Sequence, residues 1–164
     1  WYQRRVRGMF VKESQLQFLS KVSTYQPGQP QMIECFATWC GPCRQMIPHL
    51  ASLTKKYPNV NIVSVSQEDF ATVTNFSISN PTTREYNLAV DKDGVVGQLM
   101  NQNNVTGIPH AFLLNTEGKM VWHGHPGSCE SELIKLSKEY LEKQKPKIEE
   151  NNLKTVCNFN SLRK

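Results

Sequence analysis

Apolar residues follow different spacings along the chain, and each spacing predicts an element. Residues 31–37 are apolar at nearly every position, which is typical of a parallel strand covered on both faces of a sheet. Between residues 40 and 57 the apolar residues stand three or four positions apart, which predicts one long helix with a buried stripe. The stripe consists of Cys43, Met46, Ile47, Leu50, Leu53 and Tyr57. Pro48 should bend this helix because proline has no backbone N–H to donate. Residues 60–65 predict the next strand.

The N-terminal residues predict a separate segment in front of these elements. Residues 1–12 mix aromatic residues with arginines and show no clean period. Apolar residues between positions 10 and 22 have a fair helical spacing, and the Pro27-Gly28-Gln29-Pro30 loop ends the segment. We therefore expect residues 1–27 to form an arm and a helix.

Three short elements are predicted in the middle of the chain. Residues 67–77 predict a helix, residues 88–90 a short strand, and residues 95–101 a second helix. A turn, Asp91-Lys92-Asp93-Gly94, separates the strand from the second helix.

A hairpin and a terminal helix complete the predicted elements. Residues 111–115 and 119–123 predict two antiparallel strands joined by the turn Glu117-Gly118. A further stripe predicts a final helix: Leu133, Leu136, Tyr140 and Leu141. Residues 146–164 are polar and show no period, so we expect a flexible C-terminal tail.

Length and charge narrow the classes of protein. A chain of 164 residues with a net charge of +5 suits one domain in which helices cover a sheet. We assign that domain to residues 28–145. Lys and Arg are spread along the chain rather than gathered in a stripe with aromatic residues, so we expect no nucleic-acid partner. Five cysteines are too few, and odd in number, for a framework of structural disulfides.

The sequence contains no apolar stretch long enough to cross a bilayer and no apolar signal core at its start. We expect no membrane span and a monomer, with a slight preference for the cytoplasm. An extracytoplasmic or secreted location stays open because the chain begins at Trp1 rather than at Met.

Cys40 and Cys43 lie where the strand of residues 31–37 gives way to the long helix. Two cysteines separated by two residues at such a position are typical of a redox dithiol. Unpaired N–H groups and the helix dipole would favour the thiolate of Cys40. Cys43 would lie one turn further in, so we expect Cys40 to attack and Cys43 to resolve. Pro42 suits the first turn, and Gly41 leaves the backbone open to a partner.

A structural disulfide and half of a zinc site are the alternatives for this cysteine pair. A zinc site needs a second C-x-x-C or a spaced histidine pair. The only close pair in the sequence, His123 and His125, has a spacing that suits neither a finger nor a knuckle. We expect no metal.

Three runs of sequence resemble known thiol-disulfide oxidoreductases. The run Trp39-Cys40-Gly41-Pro42-Cys43 resembles the active-site signature of the thioredoxin superfamily. Two later runs, residues 87–94 and residues 105–121, follow each other along the chain in the same order as in TlpA-like and redoxin-type members, which they resemble. The resemblance covers residues 28–142. It implies an α/β thioredoxin fold, a central mixed β-sheet flanked by helices, with a strand-helix insertion before a cis-proline.

The resemblance also assigns a role to Glu34, six residues before Cys40. Thioredoxins have a buried Asp at this position, which accepts a proton from the resolving thiol. Burial in a strand would disfavour the charged carboxylate and raise its pKa. The alternative is a Glu at the strand margin that faces water.

The resemblance further implies a substrate-binding surface. Ile108-Pro109 would be a cis peptide that faces the dithiol, and Trp39, Gly41 and Pro42 would complete the surface. Because proline cannot donate to a ladder, the preceding backbone would stay free to pair with an extended substrate.

We therefore predict a thiol-disulfide oxidoreductase that reduces protein disulfides by dithiol exchange. The Gly-Pro dipeptide between the cysteines resembles that of reducing thioredoxins. The expected partners are disulfide-containing proteins and an upstream reductase, such as a thioredoxin reductase or a membrane thiol donor. No metal or organic cofactor is required.

Two other functions would use the same fold. A thiol-dependent peroxidase needs Pro and Thr seven and three residues before its cysteine, where Ile33 and Ala37 stand. A non-catalytic thioredoxin-fold binding module would normally have lost a cysteine, whereas this chain keeps both.

Overall fold

A computed structural model describes residues 9–162 of the chain. Its strands are β1 (Leu16–Ser20), β2 (Gln31–Phe36), β3 (Asn61–Ser66), β4 (Asn87–Asp91), β5 (His110–Leu114) and β6 (Met120–Gly124). Its helices are α1 (Gly41–Gln45), α2 (Ile47–Lys56), α3 (Phe70–Ser79), α4 (Val95–Gln102) and α5 (Glu130–Leu162). Short 3₁₀ segments lie at Glu13–Gln15, Pro81–Glu85 and Pro126–Ser128.

The strands form one mixed sheet in the order β1-β4-β3-β2-β5-β6. β2, β3 and β4 run parallel, whereas β1 pairs antiparallel with β4 and β5 pairs antiparallel with both β2 and β6. This arrangement confirms the predicted thioredoxin fold. The insertion is also confirmed, because α3, β4 and α4 fall between β3 and β5 close to the predicted positions.

Alternate residues of the central strands face two separate apolar layers. One cluster packs one face of the sheet against α1, α2, α3 and α5, and it includes both Cys40 and Cys43. The other cluster packs the opposite face against α4 through Val96. In β2, Met32 and Phe36 belong to the first cluster. Since strand side chains alternate, Glu34 lies on the same face as the two cysteines.

The helix predicted over residues 10–22 is wrong. β1 occupies the centre of that segment and pairs antiparallel with β4, from Leu16 opposite Asp91 to Ser20 opposite Leu88. The few apolar residues fitted a helical spacing, but pairing at the sheet edge decides the conformation. Residues 1–8 of the predicted arm lie outside the described residues.

The single bent helix predicted between residues 40 and 57 is two helices. α1 ends at Gln45 and α2 begins at Ile47, with Met46 between them. Pro48 falls in the first turn of α2, where it has no hydrogen to donate to the carbonyl group of Arg44. The proline therefore separates the helices, and α1 is left as a short element that carries the dithiol.

The C-terminal segment is helical where a flexible tail was expected. α5 runs through Pro146 to Leu162. Up to residue 158 the last buried side chain of α5 is Leu136, and residues 145–158 are all exposed. Ion pairs one turn apart, such as Lys154 with Glu150, accompany this exposed part. Within residues 9–162, no helix is both long and apolar enough to cross a membrane.

The predicted hairpin is confirmed. β5 and β6 pair antiparallel, and Gly118 in the turn has a φ of +76°, which favours glycine. The hairpin places β5 next to β2, so that the residues before β5 reach the end of the sheet at which α1 begins.

Candidate active site

Cys40 and Cys43 lie at the N-terminus of α1, with their sulfur atoms 2.25 Å apart in a disulfide. Cys40 is the N-cap residue and has an extended backbone. Its sulfur accepts a hydrogen bond from the backbone N–H of Cys43 at 3.2 Å. Once the disulfide is reduced, this N–H and the helix dipole would stabilise negative charge on Cys40. Cys40 needs this arrangement in order to act as the attacking thiolate, as the sequence predicts.

The residues around the pair are more accessible than the sulfur atoms. Cys40 is 4% exposed and Cys43 is 1% exposed, so the two cysteines are buried to almost the same extent. Trp39 is 72% exposed, Pro42 is exposed and Gly41 is half-buried. An approaching protein would therefore meet the tryptophan and the proline before it meets the sulfur of Cys40.

The peptide bond between Ile108 and Pro109 is cis, which confirms the prediction from the resemblance. The Ile108 carbonyl oxygen lies 3.8 Å from the sulfur of Cys40. Pro109 is buried and Ile108 is half-buried. The sequence thus brings together a cysteine and a carbonyl group that are 68 residues apart.

Glu34 is fully buried, so the alternative of a water-facing Glu at the strand margin is excluded. The hydroxyl of Ser64 on β3 donates a hydrogen bond to its Oε2 atom. Its Oε1 atom has no hydrogen-bond partner. Burial raises the pKa of this carboxyl to about 7, against the smaller opposing effect of the Ser64 hydrogen bond.

Three cysteines lie outside the dithiol. Cys35 is 2% exposed and burial raises its thiol pKa, so it packs as a small hydrophobic residue. Cys129 is fully buried, its Sγ donates to the Pro126 carbonyl at 3.0 Å, and burial raises its pKa to about 11. Cys157 is exposed on α5.

Glu68, which the sequence reasoning missed, fixes the loop that precedes the dithiol. Its carboxylate accepts hydrogen bonds from the backbone N–H and the hydroxyl of Thr38, each at 2.7 Å. It also accepts one from the hydroxyl of Ser66, at 2.8 Å. Thr38 is followed directly by Trp39 and Cys40, so Glu68 holds the backbone that leads into the site. The available signal was an acidic residue just beyond the strand that neighbours β2.

A small cavity adjoins the exposed tryptophan. Its volume is about 170 Å³, and its walls include Trp39, Ile108, Phe36 and Val96, with Glu68 at the polar side. The cavity therefore lies between Trp39 and Ile108, which belong to the two segments predicted to bind substrate.

His110 begins β5, and its Nε2 lies 2.9 Å from Nδ1 of His123 on β6. Burial, followed by the charges of His123 and His125, lowers the pKa of His110. In the part of the chain that the structure describes, no group of three or more His, Cys, Asp or Glu could hold a metal. The histidines and cysteines considered for zinc are therefore not brought together.

Comparison with curated proteins finds oxidoreductases of this kind. The chain is 41% identical to thioredoxin Asp f 28 of Aspergillus fumigatus over 44 residues, 27% of this chain and 41% of that protein. It is 27% identical to sporulation thiol-disulfide oxidoreductase A of Bacillus subtilis over 106 residues, 60% of this chain and 61% of that protein. The chain therefore spans less than two thirds of the length of either relative.

Comparison with solved structures finds the same fold. A thioredoxin-like protein from Porphyromonas gingivalis has a TM-score of 0.54 and 25% identity, over 78% of this chain and 89% of that chain. A thiol:disulfide interchange protein from Chlorobium tepidum has a TM-score of 0.55 and 19% identity, over 68% of this chain and 81% of that chain. At that identity the second similarity shows the fold alone.

A family model extends this agreement to the sequence. The model described as thioredoxin-like matches residues 28–120, which is more than half of the chain. The match includes β2, the dithiol, the insertion and the cis-proline. The chain belongs to the thioredoxin-like family.

Proposed function

We propose that this chain is a thiol-disulfide oxidoreductase that reduces protein disulfides through Cys40 and Cys43. The observation that carries the proposal is the position of the pair, at the N-terminus of α1 and facing the carbonyl group of Ile108. The relatives named as thiol-disulfide oxidoreductases support it.

In the first step, the thiolate of Cys40 attacks one sulfur of a substrate disulfide. A mixed disulfide between Cys40 and the substrate forms, and the other substrate sulfur leaves as a thiolate that takes a proton from water. The N–H of Cys43, which points at the Cys40 sulfur, stabilises the attacking thiolate.

In the second step, Cys43 resolves the mixed disulfide. Its thiol loses a proton, and its sulfur attacks that of Cys40, which releases the second substrate thiolate and closes the Cys40–Cys43 disulfide. Two electrons have then passed from the dithiol to the substrate. Glu34 is proposed as the proton acceptor, because it shares the face of the sheet with Cys43 and has a pKa of about 7.

The substrate backbone is proposed to lie along Ile108 and Pro109. These residues precede β5, so their backbone is not part of the sheet ladder. Trp39 and Pro42 would supply exposed surface on the other side of the sulfur, with Gly41 allowing close approach.

The reducing direction is proposed from the Gly-Pro dipeptide between the cysteines. A reductant of protein disulfides must itself be re-reduced, so the scheme needs an upstream reductase such as a thioredoxin reductase or a membrane thiol donor. The protein substrate supplies the disulfide, and no metal or organic cofactor enters either step.

Reduction of insulin by dithiothreitol, followed by turbidity, tests the activity. We expect Cys40→Ser to abolish catalysis in this assay. In a single turnover without dithiothreitol, we expect the reduced Cys43→Ser protein to accumulate the mixed disulfide, because only the resolving step is lost. Cys157→Ser is the matched control, since this exposed cysteine lies outside the dithiol. Equal rates for the wild type and Cys40→Ser would refute the proposal.

The direction needs a separate measurement. We expect a reduction potential near the value of about −270 mV of thioredoxin, measured against a glutathione series, rather than near about −120 mV, the value of a strong oxidant. A value at the oxidising end would reassign the protein to disulfide formation while leaving dithiol exchange intact.

A further inference from the structure

Two histidines lie side by side on β5 and β6, and the exchange reaction does not use them. His110 follows Pro109 directly, and His123 stands opposite Phe112 in the β5–β6 pairing. Nε2 of His110 and Nδ1 of His123 are 2.9 Å apart. His110 pairs with Cys35 across the sheet, and Phe112, two residues on, faces the second apolar cluster. The pair therefore lies on the face opposite to Cys43.

Packing against one phenylalanine holds both rings. The ring centroid of Phe112 is 5.1 Å from that of His110 and 5.7 Å from that of His123, and it is stacked on the latter. His123 is exposed and His110 is half-buried. The two nitrogen atoms thus meet at the protein surface, where water or a solute can reach them, on rings that Phe112 keeps close together.

The separation of the nitrogen atoms matches that of two ligands on one metal ion. Imidazole nitrogen atoms bind transition metals at about 2.0–2.1 Å. Two such bonds at a right angle place the nitrogens about 2.9 Å apart, close to the separation of His110 and His123. Metal binding requires the donor ring to carry its proton on its other nitrogen, with water as the carrier, and both rings to turn so that their lone pairs converge on the cation.

We propose that His110 and His123 form a two-histidine site for a late first-row divalent cation. Imidazole ligands suit Cu²⁺, Ni²⁺ and Zn²⁺, and the general order of affinities places Cu²⁺ first. No third His, Cys, Asp or Glu completes the site among residues 9–162. The remaining coordination positions are therefore left to water or to a chelating molecule.

The probe that fits this geometry is the complex of Cu²⁺ with iminodiacetate, which leaves two adjacent equatorial positions open for nitrogen ligands. The titration uses the oxidised Cys157→Ser protein, because sulfur atoms in the Cys40–Cys43 disulfide cannot act as thiolate ligands, whereas the exposed Cys157 thiol would bind or reduce Cu²⁺. We expect one complex to bind per chain, with a paramagnetic resonance spectrum that shows coupling to two imidazole nitrogens.

Matched variants identify the ligands. We expect His110→Ala and His123→Ala each to weaken binding at least tenfold, because one of two protein ligands is lost. His123→Gln, at an exposed position, gives a second variant with little effect on folding. His125→Ala is the control, because its Nδ1 accepts a hydrogen bond from the Gly127 N–H instead. It should bind within twofold of the Cys157→Ser parent protein.

Two results would overturn the site. Binding that is unchanged in both His110→Ala and His123→Ala would place the metal elsewhere. A Cys157→Ser parent protein that binds no complex would leave the pair as a hydrogen bond only. Neither result bears on dithiol exchange, because the titration requires no turnover, and loss of insulin reduction would not affect the metal measurement.

Discussion

Two carboxylates flank the dithiol and differ in how they are satisfied. Glu34, within β2, is fully buried, and it has one hydroxyl partner and one oxygen without any. Glu68, just beyond β3, is half-buried, and three donors from Thr38 and Ser66 fill both of its oxygens. Burial without partners disfavours charge, whereas several donors fix a carboxylate in place.

This difference separates two tasks at one site. Glu34 has the environment of a group that exchanges a proton near neutral pH, whereas Glu68 has the environment of a group that holds a loop. Both are glutamates, one within β2 and the other just beyond the neighbouring strand β3, so their surroundings decide the task. Substitution of each residue tests the distinction.

The largest effect is expected from Glu34→Gln. It should appear in the way the free energy of unfolding of the oxidised protein changes with pH. The native state binds the Glu34 proton more tightly than the unfolded chain does, so raising the pH favours unfolding. The wild type should therefore lose stability as the pH rises from the ordinary pKa of 4.5 to about 7. The loss is on the order of 3 kcal/mol, at about 1.4 kcal/mol per pKa unit. Urea denaturation at pH 5 and pH 8 measures it.

Glutamine cannot ionise, so the variant should lack this part of the pH dependence whatever its absolute stability. Glu34→Leu should lack it too, and it also removes the unpartnered oxygen. If all three proteins lose the same stability between the two pH values, Glu34 does not titrate as a buried acid. In single turnover, we also expect the mixed disulfide to persist longer in Glu34→Gln.

A smaller effect on stability, but a direct one on the site, is expected from Glu68→Ala. The change leaves the N–H and the hydroxyl of Thr38 without their partner, which costs about 1–3 kcal/mol. Because Thr38 leads into Trp39 and Cys40, kcat/KM for insulin should fall severalfold. Denaturation and initial rates measure the two effects.

Glu68→Gln separates the shape of this side chain from its charge. The amide can still accept the Thr38 N–H through its oxygen, so stability should return most of the way to wild type. A Gln variant as damaged as the Ala variant would mean that the charge of Glu68, rather than its hydrogen bonds, holds the loop.

The smallest effect is expected from Thr38→Val, which removes only the hydroxyl donor and keeps the shape of the side chain. The N–H bond to Glu68 remains, so the cost should be about 1 kcal/mol. Thr38→Ser keeps the hydroxyl and is the control. Denaturation of the two variants in parallel tests whether the loop depends on the side chain of Thr38 or on its backbone alone.

The centre of the fold could be predicted because its signals are local. β2 is buried on both faces and is apolar at most positions, and the cysteine spacing and the Gly-Ile-Pro run stand in the sequence itself. The position of Glu34 followed from its distance to Cys40. The sequence could not show that only one oxygen of Glu34 has a hydrogen-bond partner. That partner, Ser64, lies alongside only because β2 and β3 pair in parallel.

The edges of the fold were harder to predict for two physical reasons. β1 has one neighbour and few apolar residues, so its alternation resembled a helical spacing. The exposed part of α5 buries nothing, so no apolar stripe marks it. Glu68 and the pair of His110 and His123 depend on contacts between elements, and for the histidines only the register of the hairpin could have indicated the contact.

The position of β2 between β3 and β5 has a consequence for the growing polypeptide. β2 and β3 can pair once residue 66 has left the ribosome, but β5 is complete only at Leu114. Pairing across so long a loop is slow. Until it occurs, both cysteines exist without the strand that faces them, open to any thiol or disulfide in the cell. Closing the sheet is thus also the step that brings the Ile108 carbonyl oxygen to within 3.8 Å of the sulfur of Cys40.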